Sequence, residues 1–217
     1  MPQLSLEDRI AQLEGALGPM QDREAIRDVI HRYCRSADRC DLDGFKACYW
    51  SDGYDDHGFF GGNAWEFCEY VIPVLKKIES SIHAITNTII DLEGDQAFCE
   101  SQWSVVHRLR EGDQLLDFWH QGRYIDIFEK RNGEWRILVR TLVGDTDRLI
   151  KTKDIRKLSS DAAAQDPANA RERDPYMTGA RAPDDAVYKG MAIRELVKQR
   201  PGMPDLWAGY YELSKIL

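Results

Sequence analysis

No apolar run in this 217-residue chain approaches the roughly 20 residues needed to cross a bilayer. The opening residues, Met1 to Asp8, lack the cationic head and apolar body of a leader peptide, so the sequence predicts a soluble, cytoplasmic protein. Positive charge is scarce as well, with 29 Lys and Arg against 37 Asp and Glu and a net charge of -8. A surface that neutralises nucleic-acid phosphates needs clustered cations, so nucleic acid and membrane are both set aside as partners. Cysteine is sparse and unpaired: Cys34, Cys40, Cys48, Cys68 and Cys99 form no C-x-x-C, which argues against a disulfide framework. His31, Cys34, Cys40 and Cys48 lack the tight ligand pairs of a closed zinc site, so they read as small core residues and no metal is expected. There is no internal repeat.

What is present is ordinary globular material, 43% hydrophobic and 30% charged, enough for one sizeable core. Ser5 and Asp8 form a capping-box start, and Leu6, Ile10, Leu13 and Leu17 recur at helical spacing before Gly18-Pro19. A second helix is predicted from about Asp22, with Ala25, Ile26, Val29, Ile30, Tyr33 and Ala37 as its buried stripe. Asp41 opens a short helix, and Ala64 to Lys77 is helical again. Between them, Tyr54 to Gly62 reads as a short strand entering a Gly-rich turn. Four strands follow, Ile82–Leu92, Gln96–Leu109, Leu115–Lys130 and Glu134–Val143, separated by hairpin signals at Gly94, Gly112 and Asn132-Gly133. Helices followed by consecutive antiparallel strands indicate an α+β fold, a curved sheet wrapped by N-terminal helices.

Past Asp147 the texture changes. Ser159–Asp185 has little to bury and reads as a linker or surface loop; Ala186–Gln199 and Pro204–Leu217 are amphipathic, the last rich in aromatics. The division expected is 1–148 for the sheet-and-helix domain and 149–217 for an extension that packs on it or on a neighbouring subunit.

Three of the five histidines fall on predicted strands, where alternation decides their direction. His107 shares a face with Cys99, Trp103 and Val105; His83 with Ile85, Asn87 and Ile89; His120 with Phe118, Gly122 and Tyr124. Several imidazoles converging inward are costly to bury, which points to acid-base chemistry or polar ligand binding.

The run Arg23-Glu-Ala-Ile-Arg-Asp-Val-Ile-His-Arg-Tyr33-Cys-Arg-Ser-Ala-Asp38 resembles SnoaL-like proteins of the nuclear transport factor 2-like superfamily. So do His83-Ala-Ile-Thr-Asn87, Gly122-Arg-Tyr-Ile-Asp126 and Asn132-Gly-Glu-Trp135. The resemblance implies a cone-shaped sheet closed by helices around a cavity. Within the superfamily it is nearest to the eliminating lyases: scytalone dehydratases, bile acid 7α-dehydratases and hexachlorocyclohexane dehydrochlorinases. Their Asp-His pair falls on Asp38 and His83, a tyrosine on Tyr33 and a second histidine on His107. Tyr54, His57, Asn87, Trp103, Trp119, His120 and Tyr124 are the expected substrate-lining set.

Elimination needs a base for a carbon-bound proton and donors for developing oxyanion charge and the leaving group, roles that suit a carboxylate-oriented imidazole with a phenol or second imidazole nearby. The expected function is a cofactor-independent lyase acting on an aromatic or polycyclic apolar small molecule, by dehydration or retro-aldol deformylation. An isomerase or cyclase of steroid- or polyketide-like substrates, and a non-catalytic subunit of a ring-hydroxylating dioxygenase, are the alternatives. A homo-oligomer, dimer or trimer, is expected from the resemblance.

Overall fold

Helix formation starts at Ser5, whose hydroxyl accepts the Asp8 amide at 3.1 Å while the Asp8 carboxylate receives the Ser5 amide at 3.3 Å. The computed structural model describes residues 5–153 and 179–198. From that cap, α1 runs unbroken over Leu6–Arg39 with Pro19 inside it, where the sequence predicts a stop and a fresh start. Asp22, the expected opening residue of a second helix, is committed elsewhere. Its carboxylate accepts Lys130 Nζ at 2.7 Å and Trp135 Nε1 at 2.8 Å, anchoring the helix to the sheet rather than capping it. Cys40 then ends α1 in the left-handed region (φ 53°). Asp41 caps α2, Leu42–Lys46, by accepting the Gly44 amide, and Asn63 caps α3, Ala64–Leu75.

The strands are β1 (Tyr49–Asp56), β2 (Gly61–Asn63), β3 (Ser80–Glu93), β4 (Gln96–Glu111), β5 (Gln114–Arg131) and β6 (Glu134–Thr152). Two-residue turns join β3 to β6 in succession, and Asn132 and Gly133 both take positive φ, as a hairpin of matching twist requires. The sheet order is β2-β1-β6-β5-β4-β3. The consecutive strands β3, β4 and β5 pair antiparallel as expected, and β1 joins the sheet parallel to β6. Three hairpin reversals bring β6 back beside β1 in the same sense.

Alternation and register define the inner face as rows across β3, β4 and β5: Ser81–His107–Phe118, His83–Val105–His120 and Ile85–Trp103–Gly122. A register shift between Ile85 and Thr88 moves the phase by one, so the rows resume as Thr88–Ser101–Tyr124 and Ile90–Cys99–Asp126. Gly122 is required where it stands: an added Cβ would meet the Val143 carbonyl oxygen at 2.0 Å and the Trp103 indole at 2.7 Å. The core of Ile26, Val29, Ile30, Tyr33, Phe45, Tyr49, Phe67 and Phe128 fills the space between this face and the helices.

Buried within it, Arg140 donates two hydrogen bonds to Asp126, at 2.8 and 2.7 Å, and its guanidinium lies 4.0 Å from the ring centres of both Tyr33 and Tyr124. Desolvation opposes that charge, but the Asp126 carboxylate outweighs it and holds the guanidinium well above its ordinary value.

Residues Met1–Lys151 form one compact unit and Thr152–Leu217 another. In the second, Ala186–Ala192 makes a 3₁₀ turn capped by Asp185 and Ile193–Lys198 forms α4. The amphipathic stretch Pro204–Leu217 and most of the linker expected at Ser159–Asp185 lie outside the described residues. No helix among the described residues is long and apolar enough to cross a membrane.

Candidate active site

The last turns of α1 and the start of β3 bring two sequence-distant polar groups together. His83 Nδ1 lies 2.6 Å from Asp38 Oδ1, the His83 amide donates to Asp38 Oδ2 at 3.0 Å, and the Ser81 hydroxyl donates to Oδ1 at 3.0 Å. Three donors therefore surround one carboxylate that is about nine-tenths buried. A carboxylate only accepts, so neutral His83 carries its proton on Nδ1 and keeps the Nε2 lone pair for another partner. The imidazole of His107 stands edge-on to His83 with ring centres 5.7 Å apart, and His120 edge-on to His107 at 5.9 Å. His120 is itself bonded to Asp147 at 2.9 Å.

A cleft of about 270 Å³ opens beside the Asp38-His83 pair, lined by His31, Cys34, Arg35, Asp38 and Arg39 of α1 with His83 and Ile85 of β3. This lies near the lower end of small-molecule pocket sizes. Two arginines and a histidine line it beside the Asp38-His83 pair, although the chain is acidic. Cys34 is no nucleophile here, since burial pushes its thiol up to about 12.

A second carboxylate-imidazole pair lies deeper. His57 Nδ1 bonds Asp55, Tyr49 donates its hydroxyl to the other Asp55 oxygen at 2.5 Å, and Tyr33 Oη meets His57 Nε2 at 3.4 Å. His57 also stacks on Phe67, with ring centres 4.2 Å apart. Burial pushes the Tyr33 phenol well up, so it stays protonated.

The expected set is thus divided. Asp38 and His83 meet, with His107 and His120 following along the same face. Tyr33 does not join Asp38: five residues on a helix turn the direction by about 140°, and Tyr33 faces His57 and the core instead. His57, Trp103 and Tyr124 are packed into that interior, Trp103 and Tyr124 with ring centres 5.6 Å apart.

Three residues depart from the expected inward orientation. Tyr54 is half exposed, because strand alternation gives the inward position to its neighbour Asp55. Asn87 is exposed and donates to Gln102 at 3.2 Å, displaced outward by the bulge between Ile85 and Thr88. Trp119 lies on the opposite face from His120, donating to Ser104 at 2.7 Å beneath the Arg148 guanidinium.

Sequence reasoning missed Ser81, Asp55, His31, Arg35 and Arg39. The signals existed: Ser81 and Asp55 each stand two residues before a histidine, on the same strand face. His31, Cys34, Arg35 and Asp38 recur at i, i+3, i+4 and i+7 and so share one helix face.

Helices closing a curved, mixed sheet over a polar inner face is the nuclear transport factor 2-like architecture. Residues 19–141, more than half of the chain, match the SnoaL-like domain, and the chain belongs to that family. A scytalone dehydratase-like protein of Novosphingobium aromaticivorans DSM 12444 superposes with a TM-score of 0.56 at 18% identity, over 62% of this chain and 91% of that one. The hexachlorocyclohexane dehydrochlorinase LinA-type3 of Novosphingobium barchaimii LL02 gives 0.56 at 18% identity, over 62% and 94%. Kfla4162 of Kribbella flavida gives 0.56 at 17%, over 60% and 95%. These likenesses establish the fold. No curated protein matches the chain in sequence.

Proposed function

We propose that the chain is a cofactor-independent lyase that uses His83, oriented by Asp38, to remove a proton from an aromatic or polycyclic small molecule. The carrying observation is the 2.6 Å contact between His83 Nδ1 and Asp38 at the edge of the cleft. It supports a neutral imidazole whose Nε2 takes the proton, while the carboxylate stabilises the imidazolium that forms. The C–H electron pair becomes the new double bond, and the adjacent carbon releases hydroxide, which departs as water once protonated. For retro-aldol cleavage the same base takes a hydroxyl proton, the C–C bond breaks to give a small aldehyde, and its electron pair passes into the conjugated carbonyl or aryl system of the other fragment, which then regains a proton at carbon. His107, edge-on to His83, is the donor placed for the leaving group, a role that the position of Tyr33 does not suit. Arg35 and Arg39, which line the cleft on the same helix as Asp38, supply positive charge to hold an oxygen or halide that leaves as an anion. Names among the structural neighbours, a dehydratase-like protein and a dehydrochlorinase, accord with elimination.

Product mass tests this reading against an isomerase or cyclase. Incubated with hydroxylated diaryl and steroid-like compounds, the protein is expected to yield a product lighter by water or by formaldehyde. A product of unchanged mass would replace elimination by isomerisation.

A further inference from the structure

The N-terminal half of α1 carries five large apolar side chains that nothing described covers. Leu6, Ile10, Leu13, Leu17 and Met20 are 71%, 47%, 68%, 52% and 65% exposed. Their spacing is 4-3-4-3, which repeats every 3.5 residues rather than 3.6, and that period keeps a seam facing a second helix along a left-handed supercoil. Set as a heptad, Ile10 and Leu17 occupy a positions, and Leu6, Leu13 and Met20 occupy d positions. The helix-weakening residues fall outside the seam, Gly15 at f, Gly18 at b and Pro19 at c. Asp22, which ties α1 to Lys130 and Trp135 of the sheet, lies about 160° around the helix from Met20, so the seam faces away from its own domain.

We infer that this face pairs in parallel with the same face of a second copy of the chain. The flanking charges select that partner and that direction. In a parallel pair each g residue meets the e residue of the next heptad across the seam, which sets Arg9 against Glu14 of the other copy, twice by symmetry. An antiparallel pair would set e against e, bringing Glu7 to Glu14 with like charge. Ile10 at an a position between Leu6 and Leu13 at d positions favours two strands. The seam spans about 21 Å, marginal for an isolated helix, but α1 continues without a break into the folded core, which holds it in register.

The test uses the full-length chain carrying Leu13→Cys, a reporter at a d position that is exposed in the single chain; the five native cysteines are all buried. Mild oxidation is expected to join most chains through this site. Adding Arg9→Glu is expected to slow cross-linking about tenfold, through repulsion from Glu14 of the other copy. An acidic residue near a helix N-terminus favours the helix, so that loss would not come from fraying. Adding Glu14→Arg as well restores the rate. No cross-link, a rate that Arg9→Glu leaves unchanged, or a loss that the reciprocal change does not rescue would overturn the inference. The last result would mean that the seam holds another occupant, such as the aromatic stretch Pro204–Leu217.

Discussion

Replacing His83 by alanine is expected to lower kcat by about 10² to 10⁴, the range a positioned general base supplies, with little change in KM. Asp38→Asn should lower turnover by a comparable factor while leaving the protein folded. Asparagine can offer an amide N–H toward Nδ1, which favours the opposite imidazole tautomer and takes the lone pair away from Nε2. Its carbonyl oxygen can still accept from the His83 backbone amide, so a local fold partner remains. Steady-state kinetics on the substrate identified by product mass, with circular dichroism of each variant, separates lost chemistry from lost structure. Full activity in either variant would remove the dyad from the reaction.

The second large effect concerns stability. Asp126→Asn is expected to destabilise the fold by about 3–5 kcal/mol, because it strands the Arg140 guanidinium, fully buried, without its counter-charge. The flanking rings of Tyr33 and Tyr124 attract the cation but offer no second carboxylate. Replacing both partners, with Asp126→Leu and Arg140→Met, should recover much of the loss, since removing a buried pair whole costs far less than breaking it. Urea unfolding monitored by tryptophan fluorescence measures both. A loss below about 1 kcal/mol for Asp126→Asn would show that the rings and water already satisfy Arg140.

These two residue groups also mark how far the sequence was legible. The hairpin ladder could be read directly: turn signals at Gly94, Gly112 and Asn132-Gly133 fixed three consecutive pairings, and alternation along β4 put Cys99, Trp103 and His107 on one face. The pairing of Asp38 with His83 rested on resemblance, because nothing local says that a carboxylate in the last turn of α1 will meet the fourth position of a later strand. The bulge at Ile85–Thr88 was not legible, since Ile, Thr and Asn carry no bulge signal, and it reversed the direction of Asn87. Pro19 misled for a related reason: its local preference to end a helix is overridden by the anchoring of Asp22 to Lys130 and Trp135, residues more than a hundred positions away. The inner salt bridge of Arg140 and Asp126 was hidden as well, because an arginine on a strand ordinarily reads as solvent-facing.

The cleft carries the functional reading because it joins three things that strand and helix periodicity place independently. The helix presents Asp38, Arg35 and His31 on one face, the strand presents His83 and Ile85, and the neighbouring strand sets His107 edge-on behind His83. A merely structural Asp-His pair would need neither two arginines along the same cleft nor a second imidazole beside it.

Chemical rescue tests the central claim most directly. The His83→Ala variant, assayed on the identified substrate with increasing imidazole, should regain turnover in proportion to the concentration of free imidazole base, and imidazolium should give no recovery. Turnover at the wild-type rate in the variant without imidazole would contradict His83 as the base and, with it, the lyase mechanism built on the Asp38-His83 pair.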